Sequence, residues 1–277
     1  MFESIIGHEK EKKTIENILK NNTFSHAYLF VGPSGIGKCL FARELAKVLL
    51  NTNNLDTCLD YKYVCKESDK KEFSVERIRK EVLDDIYIAP AMSDRKVYII
   101  DDGETLNSSS QNALLKTLEE PPQNVHIIII SNSLNTFLPT ILSRINVINF
   151  NGIESDKLKE YINKKFDIKL SDNIIDFIDG SIGMATNVIE NNLLDKLSSV
   201  EKLYNLILKK DLSNALIIAN DGILSDENSL KYLEFLFNKN KLYHIVKFVE
   251  HAYIRLKNNG NYDIVIDNMI INIIDNL

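Results

Sequence analysis

Up to about residue 150, short apolar runs alternate with amphipathic stretches. The runs cover 26–31, 61–65, 97–101, 125–131 and 147–150. Between them, apolar residues recur at helical spacing over about 8–21, 37–50, 74–88 and 108–120. Short apolar strands alternating with helices predict a parallel sheet with helices packed against it. The last of these helices carries two boundary signals. Ser108 stands three residues before Gln111, the spacing of a capping box, and Pro121-Pro122 stops the helix. Beyond Gly152 the strand signals vanish. The remainder of the chain reads as helices rich in Leu, Ile, Asn and Lys, with breaks near Gly180, Asp211, Asp221 and Asn259-Gly260. The expected organisation is an α/β core over 1–151, a small helical domain over 152–198 and an all-helical domain over 199–277.

Composition changes this picture little. The 277 residues are 44% hydrophobic and 26% charged, ordinary globular usage that excludes a disordered or fibrous chain. The opening Met1-Phe2-Glu3-Ser4 has neither a basic n-region nor an apolar h-region, and the apolar runs are too short to span a bilayer. A soluble, cytoplasmic protein with no membrane partner is expected. The three cysteines, Cys39, Cys58 and Cys65, form no regular framework and point to reduced thiols. Cys58 and Cys65 have no nearby His or further Cys to complete a four-ligand zinc site, so no metal site is expected there. A net charge of −6 argues against a surface dominated by phosphate contacts, and any DNA contact is expected to be shared with partners.

Candidate chemistry sits in the first half. Gly32-Pro33-Ser34-Gly35-Ile36-Gly37-Lys38-Cys39 follows a predicted strand and opens a predicted helix, the context of a Walker A phosphate loop. Gly32, Gly35 and Gly37 let backbone N–H groups turn toward a phosphate, the helix N-terminus adds positive potential, and Lys38 can reach the terminal phosphates. The final position departs from the motif. A Ser or Thr hydroxyl normally ligates Mg²⁺ there, and the thiol of Cys39 is a poor ligand for a hard cation that selects oxygen donors. Phosphate binding can survive this change; hydrolysis is not expected to. A second apolar run, Val97-Tyr98-Ile99-Ile100-Asp101-Asp102, ends in acids. It reads as a Walker B strand with Asp101 on the metal side and Asp102 where a water-polarising Glu is usual, or else as acids at a strand end facing solvent.

Several stretches together resemble one family, the AAA+ subunits of bacterial DNA polymerase III clamp loaders. They are Ile5-Ile6-Gly7-His8, the run from His26 to Pro33, and the run from Gln111 through Leu118-Glu119-Glu120-Pro121-Pro122. The resemblance implies a five-stranded parallel sheet, a helical lid and a helical collar that joins subunits. Leu138-Pro139-Thr140-Ile141-Leu142-Ser143-Arg144 is similar to the family segment whose arginine protrudes into a neighbour's ATP site, and Ile145 replaces the cysteine that usually comes next. Gly180-Ser181-Ile182-Gly183-Met184-Ala185 is similar to the lid segment that carries a γ-phosphate-sensing arginine, with Gly183 at the arginine's position. Ser131-Asn132 falls where the family has a polar phosphate sensor, or is a plain turn pair.

Within the family these departures resemble delta-prime subunits. A damaged nucleotide site goes with a retained trans-acting arginine, although the zinc module that delta-prime chains often keep is absent. The resemblance then implies a stator that supplies Arg144 in trans within an assembly of tau or gamma motor subunits and a delta subunit, and that helps load a sliding clamp onto primer-template DNA. It implies no required cofactor, at most weak ATP or ADP binding at Gly32, Gly35, Gly37, Lys38, Cys39, Asp101 and Asp102, and no reliance on Mg²⁺. Two rivals remain open: an active AAA+ ATPase that tolerates Cys39, and a scaffold in which Arg144 is idle.

Overall fold

The computed structural model describes residues 1–67, 70 and 72–277. They divide into two compact units, one of 1–166 with 179–183 and one of 167–178 with 184–277.

The first unit holds all five strands: β1 Ala27–Val31, β2 Tyr61–Val64, β3 Lys96–Ile100, β4 Val125–Ser131 and β5 Asn146–Asn149. They form one sheet in the order β2-β3-β4-β1-β5, every neighbouring pair parallel. The five-stranded parallel sheet expected from the sequence is present. Central strands β1, β3 and β4 are buried along their whole length, which is why they read as continuous rather than alternating apolar runs. The helices of this unit are α1 Glu9–Lys20, α2 Lys38–Leu49, α3 Val75–Ile78, α4 Ser108–Glu119, α5 Pro139–Leu142 and α6 Ser155–Phe166.

Successive residues of β1 enter opposite cores. Tyr28 and Phe30 pack with Phe41, Ala42 and Leu45 of α2, while Ala27, Leu29 and Val31 pack with Leu114 and Leu118 of α4. Cys58 lies in the α2 core as a small buried hydrophobe. Burying each large apolar side chain contributes about 1.5–3 kcal/mol, so the sheet is clamped from both faces. The same arrangement sets the C-terminal ends of β3, β4 and β1 side by side, where ligands of open α/β sheets bind.

Two local expectations are corrected. The helix read over 74–88 is a short α3 that widens into a π-turn at Arg79–Leu83, because Ile78, Val82 and Ile86 all turn into the α4-side core. The capping box at Ser108 is not formed. Asn107 is the N-cap, its Oδ1 accepting from Ser110 N at 2.9 Å, and Gln111 is buried elsewhere in the network. Gln111 Nε2 donates to Leu106 O and Thr136 O, each at 2.8 Å, and its Oε1 accepts from Leu138 N at 2.8 Å. The side chain thus fastens α4 to the segment that enters α5.

The helices beyond α6 are α7 Asp172–Ile178, α8 Ile182–Glu190, α9 Leu194–Leu208, α10 Leu212–Ile218, α11 Glu227–Lys239, α12 Tyr243–Lys257 and α13 Tyr262–Asn276. Apart from the start of α8, they make up the second unit. Its core is built from Leu203, Ile207, Leu233, Phe237, Ile245, Val249, Ile266 and Ile270. Of the breaks read from the sequence, Asp211 is itself the N-cap of α10 and Asn259-Gly260 leads into Asn261, the N-cap of α13; like Asp226 at the start of α11, each cap accepts a backbone N–H of the first turn. Asp221 falls in a wide turn beside Gly222, whose φ of 77° suits glycine. Tyr232, fully buried, donates to Glu201. Among the described residues, no helix is long and apolar enough to cross a membrane.

Candidate functional site: a phosphate loop with its polar groups already engaged

The phosphate loop joins β1 to α2 at the C-terminal edge of the sheet. Gly35 and Gly37 have φ of 75° and 102°, left-handed values that a side chain would strain. Gly32 is required for a different reason, since a Cβ there would lie 2.2 Å from the carbonyl oxygen of Phe150. A cavity of about 310 Å³ opens in front of the loop, lined among others by Gly35, Gly37, Lys38, Cys39, Asp101, Asp102, Glu104 and Asn132. The structure therefore brings together the loop residues and the two acids singled out in the sequence. Arg144 does not line this cavity.

Lys38, Asp101 and Glu104, three of the charged groups in the cavity, have partners within the chain. Lys38 Nζ donates to Gly32 O and Pro33 O at 2.6 Å and to Asn132 Oδ1 at 3.0 Å, which uses all three ammonium protons. Burial lowers its pKa, against the pull of Glu104 and Asp101. Asn132 in turn donates to Glu104, from Nδ2 at 2.7 Å and from its backbone N at 3.1 Å. Asp101 Oδ2 accepts from the Tyr63 hydroxyl at 2.8 Å, and its Oδ1 from Asp102 N at 2.9 Å. Asp102 is in the left-handed region with φ 53°, and burial together with the neighbouring Asp101 and Glu104 raises its carboxyl pKa. The Cys39 thiol is pushed up to about 11 by burial and the Asp101 charge, so it is neutral near pH 7.

These residues suit a phosphate better than they suit Mg²⁺. The glycine turns and the N-terminus of α2 supply the N–H groups and positive potential that a phosphate needs. A magnesium ion selects several oxygen donors in tight octahedral geometry, and here one expected donor is a neutral thiol and the other a carboxylate that already accepts one hydrogen bond on each oxygen.

The segment 179–183 lies on the loop itself. Gly183 N donates to Gly35 O at 2.8 Å, and Ser181 Oγ donates to Ser34 O at 3.0 Å. A Cβ on Gly183 would stand 2.9 Å from the Cα of Gly35. The place where the family resemblance puts a lid arginine is here a backbone-to-backbone contact with no room for a side chain.

Arg144 follows α5 and is about one-third exposed. Its Nη1 donates to Thr140 O at 2.8 Å and Ser143 Oγ at 2.9 Å, and its Nη2 pairs with Glu119 Oε1 at 2.9 Å. Ile145, at the position of the family's cysteine, is buried in the α4-side core. Four residues of this network were not singled out in the sequence as functional: Tyr63, Glu104, Glu119 and Gln111. Tyr63 shares a face with Asp101 only because parallel pairing sets Tyr63 beside Ile99, two residues earlier. Glu119 and Gln111 lie inside the stretch that carries the family resemblance, the one signal that could have marked them.

The family described as DNA polymerase III, delta subunit, matches residues 7–154. The chain belongs to this family. It is a clamp-loader AAA+ subunit, 32% identical over 86% of its length to DNA polymerase III subunit gamma of Buchnera aphidicola subsp. Acyrthosiphon pisum, of which it covers 77%. It is also 32% identical to subunit tau of Bacillus subtilis and 29% identical to subunit tau of Escherichia coli, over 86% of this chain in each case. It spans only 44% and 38% of those two longer proteins. Among solved structures, a DNA polymerase III gamma subunit-related protein from Thermotoga maritima aligns over 95% of this chain and 98% of its own, with TM-score 0.53 and 17% identity. That likeness establishes the fold.

Proposed function

We propose that this family member is a delta-prime-type stator of a DNA polymerase III clamp loader, with Arg144 acting on a neighbour's ATP. The carrying observation is the metal side of its own phosphate loop, where Asp101 is bound by Tyr63 and Asp102 N and the second donor is the neutral thiol of Cys39. In this reading 1–151 is the ATPase-type core, 152–198 the lid and 199–277 the collar that joins the subunit to tau or gamma motor subunits and a delta subunit. The chain has no required cofactor and at most weak ATP or ADP binding, and it meets the sliding clamp and primer-template DNA through the complex. A guanidinium supplied in trans to a γ-phosphate stabilises charge in the transition state, worth about 10³–10⁵ in rate where such fingers have been measured.

The test is a reconstituted loader. Arg144→Ala should leave assembly intact and lower DNA- and clamp-stimulated ATP hydrolysis, while Lys38→Ala in this chain should do far less harm. Equal damage from the two, or a silent Arg144→Ala, overturns the stator.

The gamma and tau names of the relatives favour a second reading, an active AAA+ motor subunit. Lys38, Asp101, Asp102 and Asn132 around one cavity are compatible with it. Steady-state ATP turnover by the purified chain, abolished by Lys38→Ala, would establish that reading in place of the first.

A further inference from the structure

The Tyr63 hydroxyl touches both positions from which a metal would be ligated. It donates to Asp101 Oδ2 at 2.8 Å, and the Cys39 thiol lies within interaction range of both Tyr63 and Asp101. The arrangement is built into the sheet. β2 and β3 pair in parallel with Tyr63 opposite Ile99 and Val64 opposite Ile100, and Asp101 N extends the ladder by donating to Val64 O at 2.8 Å. Residues two apart on a strand share a face, so Asp101 emerges on the side of Ile99 and Tyr63. Tyr63 lies on the edge strand with its ring partly open to solvent, and it belongs to neither of the buried cores of this sheet. Its hydroxyl is therefore positioned by the register and not required by the packing.

Each Asp101 oxygen keeps a second lone pair, but a cation held by both Asp101 and the side chain at position 39 meets the phenol that touches both of them. The consequence for a nucleotide is electrostatic. Without a divalent ion, its phosphates face the carboxylates of Asp101, Asp102 and Glu104, while Lys38, the one lysine among the described residues that line the cavity, is already engaged with Gly32, Pro33 and Asn132.

We propose that Tyr63 is the specificity-determining residue that bars a divalent cation from this phosphate loop, and that Cys39 alone does not set this property. The proposal rests on the stator reading and deepens it, since it assigns the loss of metal to an added hydroxyl and not only to a missing one.

The experiment is calorimetric titration of ADP into the full-length chain, once in MgCl₂ and once in EDTA. Wild type and Cys39→Ser should show ADP affinities that agree between the two buffers within about twofold, or no measurable binding in either. The pair Tyr63→Phe with Cys39→Ser should bind ADP at least about tenfold tighter in MgCl₂ than in EDTA. A purely structural Tyr63 would not move this difference between buffers. Metal dependence gained by Cys39→Ser alone overturns the proposal, and so does a double variant that folds and stays indifferent to Mg²⁺ or binds no ADP. If the double variant fails while wild type turns over no ATP, the Tyr63 assignment falls and the stator stands. Lys38-dependent ATP turnover by wild type removes both.

Discussion

The guanidinium of Arg144 and the carboxylate of Glu119 are paired at 2.9 Å, tying the loop after α5 to the last turn of α4. Glu119 is half exposed and Arg144 about one-third exposed, and an ion pair this open to solvent contributes only about 0–1 kcal/mol. The pair is therefore weak enough for Arg144 to exchange partners, as the proposed stator role requires. Glu119→Gln should shift the free energy of urea unfolding by less than about 1 kcal/mol. In the reconstituted loader it should keep stimulated ATP hydrolysis at or above the wild-type level. Hydrolysis that falls as far as in Arg144→Ala would show that the two side chains act as a unit.

Gly183 is fixed by space. Its N–H bonds to Gly35 O at 2.8 Å, and an added Cβ would meet Gly35 Cα at 2.9 Å, backbone that cannot swing aside as a long side chain can. Gly183→Ala should lower unfolding free energy by about 1–3 kcal/mol, the usual cost of forcing an extra methyl into a packed site. Gly183→Arg, which writes the lid arginine back into the sequence, should destabilise at least as much and yield no ATP turnover. A neutral Gly183→Ala in denaturant titrations would mean that the loop and segment 179–183 separate freely in solution.

Much of the fold was legible because its signals are local. β1, β3 and β4 are buried on both faces, so their side chains had to form apolar runs, and Gly32, Gly35, Gly37 and Lys38 are tied to one turn by backbone geometry. What stayed hidden depends on pairing across the chain. Gln111 has the spacing of a capping residue after Ser108, yet Asn107 takes the cap. Gln111 instead satisfies three backbone groups at Leu106, Thr136 and Leu138, and which carbonyls would be left unpaired cannot be known before α5 is in place. Tyr63 looks like any aromatic of an edge strand until the β2–β3 register sets it against Asp101. Glu104 comes soon after Asp101 in sequence, but its partner Asn132 comes from the end of β4.

Asp85 lies just past the π-turn and gathers three donors on one oxygen. Lys62 Nζ is at 3.0 Å, Lys96 Nζ at 3.1 Å and the Tyr98 hydroxyl at 2.6 Å from Oδ2. Burial pushes the carboxyl pKa up, but these donors and the Lys62 charge outweigh it and bring the group to about 2 from an ordinary 3.8. A carboxyl whose pKa is lower folded than unfolded contributes stability that is complete above the unfolded value and disappears as pH falls toward the folded one. At about pH 7 this amounts to at most about 2 kcal/mol, somewhat less because the carboxylate is 23% exposed and partly screened. Lys96 is almost wholly buried and has Asp85 as its counter-charge, so loss of the carboxylate also leaves a buried cation poorly paired. Asp85→Asn should therefore be less stable than wild type by about 2 kcal/mol or more in urea at about pH 7. The gap should narrow as the pH is lowered from about 5 to about 2, because the unfolded wild-type chain takes up a proton at Asp85 around its ordinary 3.8 and the folded one only near 2. A gap that stays constant over that range would mean that Asp85 acts through hydrogen-bond shape alone, with its charge contributing nothing.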